Sequence, residues 1–155
     1  MYKYETHLHT YPVSKCAKAE VLECVEFYKE MGYDGIFITN HFLDGNVNTS
    51  SALPYKERIE FYFSDYEKAL KLAEEIGIKV FFGLETSYKG TDFLVYGLDK
   101  EWFLKNSKIM DMKKKNSFCI LWKTTHLLYK HTHLGRLHIL SIFVCFQDVF
   151  MVLKS

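Results

Sequence analysis

The sequence predicts an α/β fold in which strands and helices alternate along the chain. Two long helical segments end at Gly32 and Gly77, and each is followed by an apolar, strand-like run at residues 35–39 and 78–84. A crossover between parallel strands needs about a dozen residues and is usually a helix, so the alternation favours a parallel sheet or barrel. The 155 residues, 48% of them hydrophobic, suffice for one domain with a core.

The first half of the pattern contains two strands and one helix. Residues 2–9 are β-prone and predict a strand. Its alternation places Glu5, His7 and His9 on one face and the other side chains on the opposite face, namely Tyr2, Tyr4, Thr6 and Leu8. Apolar residues recur at helical spacing from about residue 17 to 31, and residues 35–39 form a buried strand.

The second half repeats the pattern and then changes it. Pro54 suits the first turn of a long helix that ends at Gly77, and a strand follows at residues 78–84. A turn at the next glycine leads into a strand at residues 91–96, and residues 102–112 form a helix.

Composition and termini predict a cytoplasmic protein. The N-terminus shows neither a secretory signal nor a transit peptide. The longest apolar stretch, residues 138–153, is shorter than the roughly 20 residues of a membrane-spanning helix. The cysteines show no CxxC pairing and are expected to be free thiols, namely Cys16, Cys24, Cys119 and Cys145.

Potential metal ligands follow the predicted strands. His7 and His9 end the first strand, His41 follows the second, and Glu85 ends the third. In parallel α/β folds the functional residues collect at the carboxyl ends of the strands, so these side chains are expected at one rim. A carboxylate at the mouth of a core is costly unless a cation compensates it, and imidazole with carboxylate suits Zn, Mn or Fe.

The same residues carry a family resemblance. "THLHT", "GYDGIFITNHF" and "FFGLETS" resemble the opening motifs of the PHP superfamily (polymerase and histidinol phosphatase), and "LPYKERIEFY" and "FLVYGLDKEW" resemble its small single-domain branch. The resemblance covers roughly residues 1–114. It implies the N-terminal portion of a distorted (β/α)7 TIM-like barrel and a metal-dependent phosphoesterase that acts on a small-molecule phosphate ester.

The resemblance also implies roles for individual residues. His7, His9 and His41 match metal ligands, and Glu85 matches the bridge between two ions. The intact family holds two or three divalent ions, which activate water, so no catalytic residue beyond the ligands is predicted.

Two further positions depart from the family pattern. Asn40 stands where many relatives have aspartate, and it is a further candidate ligand. Where many relatives have another histidine or acid, this chain has Ser14, Lys15 and Cys16. Cys16 is therefore either a ligand or a buried structural thiol. The later Ala-His-Pro and Asp-x-His motifs of the family are absent.

The last part of the chain has a different composition. Residues 113–155 hold seven of the 20 basic residues but only one of the 19 acidic residues, Asp148, and they contain no Ala, Glu or Pro. The segment also concentrates four of the seven histidines, namely His126, His131, His133 and His138. A solvated basic arm would not be so rich in Leu, Ile, Phe and Val.

We hypothesise that a change of reading frame produced this composition. When residues 129–153 are back-translated and read from the third base of each codon, allowed codons give QAHPFREAPYIEYIRLFPRCVYGVE, which contains the missing Ala-His-Pro. The same rule from residue 122 gives ENDALII. We therefore interpret residues 1–114 as the N-terminal part of a PHP domain and residues 115–155 as an out-of-frame tail. The four histidines of that segment are not predicted to bind metal.

Alternative functions follow from the same features. A truncated barrel would be a non-catalytic fragment, because an open sheet edge leaves backbone groups unpaired. The lysines at positions 113–115 and the basic tail would suit a nucleic-acid-binding module, a weaker hypothesis because lysine runs are usually solvated faces. An amidohydrolase also begins with His-x-His on a barrel strand, but the placement of His41 and Glu85 argues against that class.

Overall fold

The computed structural model describes residues 2–88, residues 90–110 and the backbone of Leu128–His131. The remainder of the tail at residues 115–155 lies outside the described residues. The predictions for Cys119, Cys145 and the lysines at positions 113–115 therefore also lie outside them, as do those for the side chains of the four tail histidines.

The strands that the structure describes form a five-stranded sheet whose order follows the chain. They are β1 (Tyr4–Leu8), β2 (Gly35–Ile38), β3 (Lys79–Tyr88), β4 (Thr91–Tyr96) and β5 (Leu128–His131). The first three strands are parallel, as predicted, whereas β4 and β5 pair antiparallel. The predicted parallel pairing is confirmed for β1 to β3 and does not extend to β4, because a tight turn with Gly90 at a φ of 73° returns the chain directly beside β3.

The helices are α1 (Val21–Glu30), α2 (Tyr55–Ile76) and α3 (Lys100–Lys105), and α3 is followed by a 3₁₀ turn (Ser107–Met110). α1 begins later than predicted because the backbone N–H of Glu20 donates to the Glu23 carboxylate at 3.0 Å, a cap that starts the helix there. α2 ends at Ile76 and Gly77 caps it, as predicted. Within the described part of the chain, no helix combines the length and apolar character needed to cross a membrane.

Apolar side chains pack on both sides of the sheet. On the outer side, β2 and β3 contact α1 and α2 through Val21, Val25, Ile36, Ile38, Ala69, Ala73 and Val80. A second cluster around Phe63 and Phe103 packs α2 and α3 against the later part of β3. The inner side is lined by Tyr4, Phe37, Phe81, Leu94 and Tyr96. The sheet therefore has a helix-covered outer face and an aromatic inner face.

A bulge in β1 changes the predicted faces of this strand. The pairing register with β2 shifts between Glu5 and Leu8. Tyr4 consequently packs on the inner face while Leu8 packs on the outer face, so the prediction that they share a face is wrong. An extra residue in a strand reverses the alternation beyond it. His7 and His9 still share a side, as predicted, with their Nε2 atoms 3.0 Å apart.

The sheet is curled across its inner face. Tyr96 of β4 donates its hydroxyl hydrogen to the backbone carbonyl of Thr6 in β1 at 2.7 Å, although two strands separate β1 from β4 in the sheet order. Gly83 permits this contact, because a Cβ there would lie 2.8 Å from Thr39 Cγ2 and 2.8 Å from the Tyr96 ring. This mixed α/β structure with a curled sheet is compatible with part of a TIM-like barrel.

The close approach at Gly83 makes a testable prediction. We expect Gly83→Ala to lower the free energy of unfolding by about 1–3 kcal/mol, the usual cost of overpacking a filled core. Gly45→Ala is the matched control, because its Cβ would meet no atom closer than 3.4 Å. Urea titrations followed by circular dichroism measure both variants. Equal stability of the two would contradict the tight packing of Tyr96 over Gly83.

Candidate metal centre

The candidate ligands lie on the inner face, at the rim that the carboxyl ends of β1 and β2 form. Side chains alternate along β2 and β3, so the residues beyond Phe37 and Phe81 that face inward include His41 and Glu85. His41 and Glu85 form an isolated parallel bridge that continues the pairing of β2 with β3. The backbone N–H of Glu85 donates to the Asn40 carbonyl at 3.0 Å. This local sheet geometry aims both side chains at β1.

The prediction that Glu85 ends the third strand is wrong, because β3 continues to Tyr88. Glu85 lies within β3. The parallel pairing of β3 with β2 ends at Phe82, and beyond it β3 pairs antiparallel with β4, with Glu85 opposite Leu94. The carboxylate still reaches the expected rim, because the rim is set by the ends of β1 and β2.

Three histidines converge on the Glu85 carboxylate. Oε2 lies 2.6 Å from His7 Nε2 and 3.3 Å from His9 Nε2, and Oε1 lies 3.1 Å from His41 Nδ1. The Glu85 side chain is only 4% exposed, whereas each histidine keeps a partly exposed edge. The structure therefore brings together the four residues that the sequence singled out.

The chemistry of these donors fits a divalent cation. Donor atoms of His7, His9 and Glu85 all lie within 4.8 Å of one another. The Nε2 atoms of the two histidines face each other at 3.0 Å, so at least one of them presents a lone pair rather than a proton. Ligands at about 2.0–2.1 Å from a tetrahedral ion are separated by about 3.3 Å, and the three donors here are 2.6, 3.0 and 3.3 Å apart.

Glu85 carries a negative charge in this environment. Burial by itself raises the pKa of its carboxyl, but the hydrogen bonds from His41, His7 and His9 outweigh burial and hold the pKa well below its usual range. An anionic carboxylate surrounded by imidazoles offers two oxygens at once. It can therefore contact two cations, one through each oxygen.

Cys16 joins the same site from the turn after β1. Its Sγ lies 3.1 Å from His9 Nδ1, and its sulfur forms a second group of donors with His9 and His41. The interpretation as a buried structural thiol is wrong, because Cys16 is exposed. Partial desolvation raises the pKa of the Cys16 thiol, so without a cation the sulfur keeps its proton at neutral pH.

Asn40 is buried, and its side chain forms hydrogen bonds with other residues of the protein. Oδ1 accepts from the Thr10 backbone N–H at 2.7 Å and from the Ser14 hydroxyl at 2.8 Å, and Nδ2 donates to Thr10 Oγ1 at 2.9 Å. Both lone pairs of Oδ1 are thus engaged. The prediction of Asn40 as a ligand stays a prediction.

Sequence reasoning missed the buried polar residues beneath the site. Thr10 donates to Asp65 Oδ2 at 2.8 Å, and Tyr62 donates to the Asn40 carbonyl at 2.6 Å. A signal for Asp65 was present: it falls at a helical spacing shared by Tyr62 and Ala69, which are buried, so an acid stands in an apolar stripe.

Comparison with protein-family models identifies a family that the chain matches. The family model described as the PHP domain matches residues 5–141, a range that includes every candidate ligand. No curated protein matches the chain. The match continues past residue 114, so the predicted change of reading frame near residue 115 stays a prediction.

Proposed function

The chain belongs to the PHP domain family, and from that premise we propose a metal-dependent phosphoesterase that hydrolyses a small-molecule phosphate ester. The observation that supports the proposal most strongly is the convergence of His7, His9 and His41 on the buried carboxylate of Glu85. A carboxylate so deep in the fold, with imidazoles as its main partners, is the arrangement expected of a ligand set.

The donor atoms suggest which residues would hold which ion. His7 and His9 would hold one cation through Nε2, and His41 with Cys16 would hold another. Glu85 would contact both through its two oxygens. Bound Zn, Mn or Fe ions supply a nucleophile from water at neutral pH and stabilise the charge that develops on a phosphate ester. The partly exposed edges of the histidines leave the site open to substrate.

The role of Cys16 can be tested by spectroscopy. We expect a cobalt-loaded chain to show an ultraviolet sulfur-to-cobalt charge-transfer band, because Cys16 Sγ lies beside His9 and His41. Cys16→Ser should remove the band, and Cys24→Ser, which changes the buried cysteine of α1, should keep it. A band that persists in Cys16→Ser, or is lost in Cys24→Ser, would contradict thiolate ligation by Cys16.

We propose further that the curled sheet is the first part of a distorted (β/α)7 barrel. On this proposal residues 1–114 are the family part of a cytoplasmic protein, and residues 115–155 are an out-of-frame tail. The last strand of an intact barrel would pair with β1, whose other edge already pairs with β2. The activity of this chain then depends on whether the incomplete set of ligands still binds the metal ions.

The non-catalytic alternative is distinguished by metal content and turnover. A phosphoesterase holds divalent metal after purification and hydrolyses p-nitrophenyl phosphate, and chelation abolishes this hydrolysis until metal is returned. A truncated fragment shows neither property and aggregates through its open sheet edge. Soluble, metal-free protein that does not bind added zinc, manganese or iron would overturn the proposed function.

A further inference from the structure

The side chain of Asn40 connects the segments that carry the candidate ligands. It bonds to both the backbone and the hydroxyl of Thr10, the residue after His9, and to the hydroxyl of Ser14. Ser14 Oγ in turn accepts from the backbone N–H of His41 at 3.1 Å. Asn40, Thr10 and Ser14 are at most 2% exposed. One buried amide thus ties the end of β1, the following turn and the end of β2.

Hydrogen-bond directions in this network are determined by Thr10. Its hydroxyl accepts from Asn40 Nδ2, so its single proton is directed to Asp65 Oδ2 at 2.8 Å. Asp65 is 0% exposed and lies in the middle of α2. The network therefore starts at the amide of Asn40 and ends at a buried carboxylate, and the proton of each hydroxyl has one defined acceptor.

We propose that Asn40 and Asp65 act as one positioning pair for the metal ligands, an inference that rests on the proposed function. Neither residue is assigned as a ligand. The amide at position 40 accepts two hydrogen bonds and donates one. The carboxylate at position 65 accepts the one hydrogen bond that the Thr10 hydroxyl can still donate. Ligands must be held to within a fraction of an ångström, and the partners that orient them affect metal affinity strongly.

The direction of the network predicts the effect of Asn40→Asp. Two buried carboxylates would then compete for the one hydroxyl proton of Thr10, and one of them would lose its hydrogen bond. We expect Asn40→Asp to weaken Co²⁺ affinity by about 10–100-fold, the usual cost of losing an orienting partner. Asp65→Asn alone keeps an oxygen that accepts from Thr10 but loses the charge, so we expect a smaller loss of Co²⁺ affinity than in Asn40→Asp.

The double variant reverses the network. In Asn40→Asp with Asp65→Asn, the carboxylate at position 40 accepts the proton of Thr10, and the amide at position 65 donates to Thr10 Oγ1. We therefore expect the second substitution to restore most of the Co²⁺ affinity that the first one removes. A residue with a merely structural role would not show rescue by relocating the acid to the other side of Thr10.

The experiment is a double-mutant cycle on the full chain. Co²⁺ dissociation constants are measured by competition with a chromophoric chelator, and the cobalt absorption spectrum reports ligand geometry. Unfolding midpoints of the metal-free proteins separate loss of fold from loss of site. Ser14→Ala removes part of the same network without adding a charge, and it should also weaken Co²⁺ binding while the protein stays folded.

Three outcomes would overturn the pairing. Affinity losses that simply multiply in the double variant would show that positions 40 and 65 are independent. Tighter Co²⁺ binding by Asn40→Asp in both backgrounds would make position 40 a ligand position. Unchanged affinity in Asn40→Asp and Ser14→Ala would remove the positioning role. If the unmodified chain bound no Co²⁺ at all, the proposed function itself would fail, and the positioning role would fail with it.

Discussion

Glu85→Gln is expected to lose metal binding and phosphate-ester hydrolysis together. The substitution keeps the size of the side chain but removes the charge on which His7, His9 and His41 converge. It also replaces one oxygen with an N–H₂ group that faces a ring nitrogen. Because orienting partners alone contribute about 10–100-fold to metal affinity, loss of a ligand should cost about 100-fold or more. Isothermal titration with Zn²⁺ measures this affinity.

The control is a glutamate of similar chemistry outside the site. Glu101→Gln changes an exposed carboxylate in α3 that pairs only with Lys105 among the interactions found for it, so its metal affinity should equal that of the unmodified chain. Circular dichroism confirms that both variants fold. Equal zinc affinity in Glu85→Gln and Glu101→Gln would contradict the assignment of Glu85 as a ligand.

Restoring the proposed reading frame is expected to raise hydrolysis by about 100-fold or more. The variant replaces residues 122–153 with ENDALII followed by QAHPFREAPYIEYIRLFPRCVYGVE. The restored segment contains the histidine of the Ala-His-Pro motif and the residues of later barrel strands. The ions would therefore gain ligands that hold them in place. Misplacement of reacting groups by about 1 Å costs about 100-fold in rate, which sets the size of the expected gain. p-Nitrophenyl phosphate turnover with added Mn²⁺ measures it.

Two controls accompany the restored chain. The same restored chain with Glu85→Gln should be inactive, which shows that the gain requires the metal site. Nucleotide sequencing of codons 115–153 tests the premise directly, since the hypothesis needs third bases that encode the restored string. Incompatible codons, or a restored chain no more active than the present one, would end the frame-change interpretation and leave residues 115–155 as the chain's own sequence.

The order of elements and the identity of the clustered residues were predictable from sequence because both depend on local patterns. Helical spacing with a terminal glycine predicted α2, a continuous apolar run predicted β2, and the turn at Gly90 predicted β4 after it. The His-x-His spacing and the positions of His41 and Glu85 after apolar runs predicted their shared location. The bulge in β1 was not predictable, because a one-residue shift in register depends on the partner strand.

Local patterns were enough to predict which residues meet at the rim, since strand periodicity and parallel crossovers place the carboxyl ends of β1 and β2 side by side. The curl of the sheet, the side chains that support the ligands and the position of Cys16 depend instead on tertiary packing. Asp65 reaches Thr10 from a residue 55 positions away in the chain, and Tyr96 reaches Thr6 from 90 positions away. Contacts of that separation depend on how whole elements pack, and no local pattern encodes them.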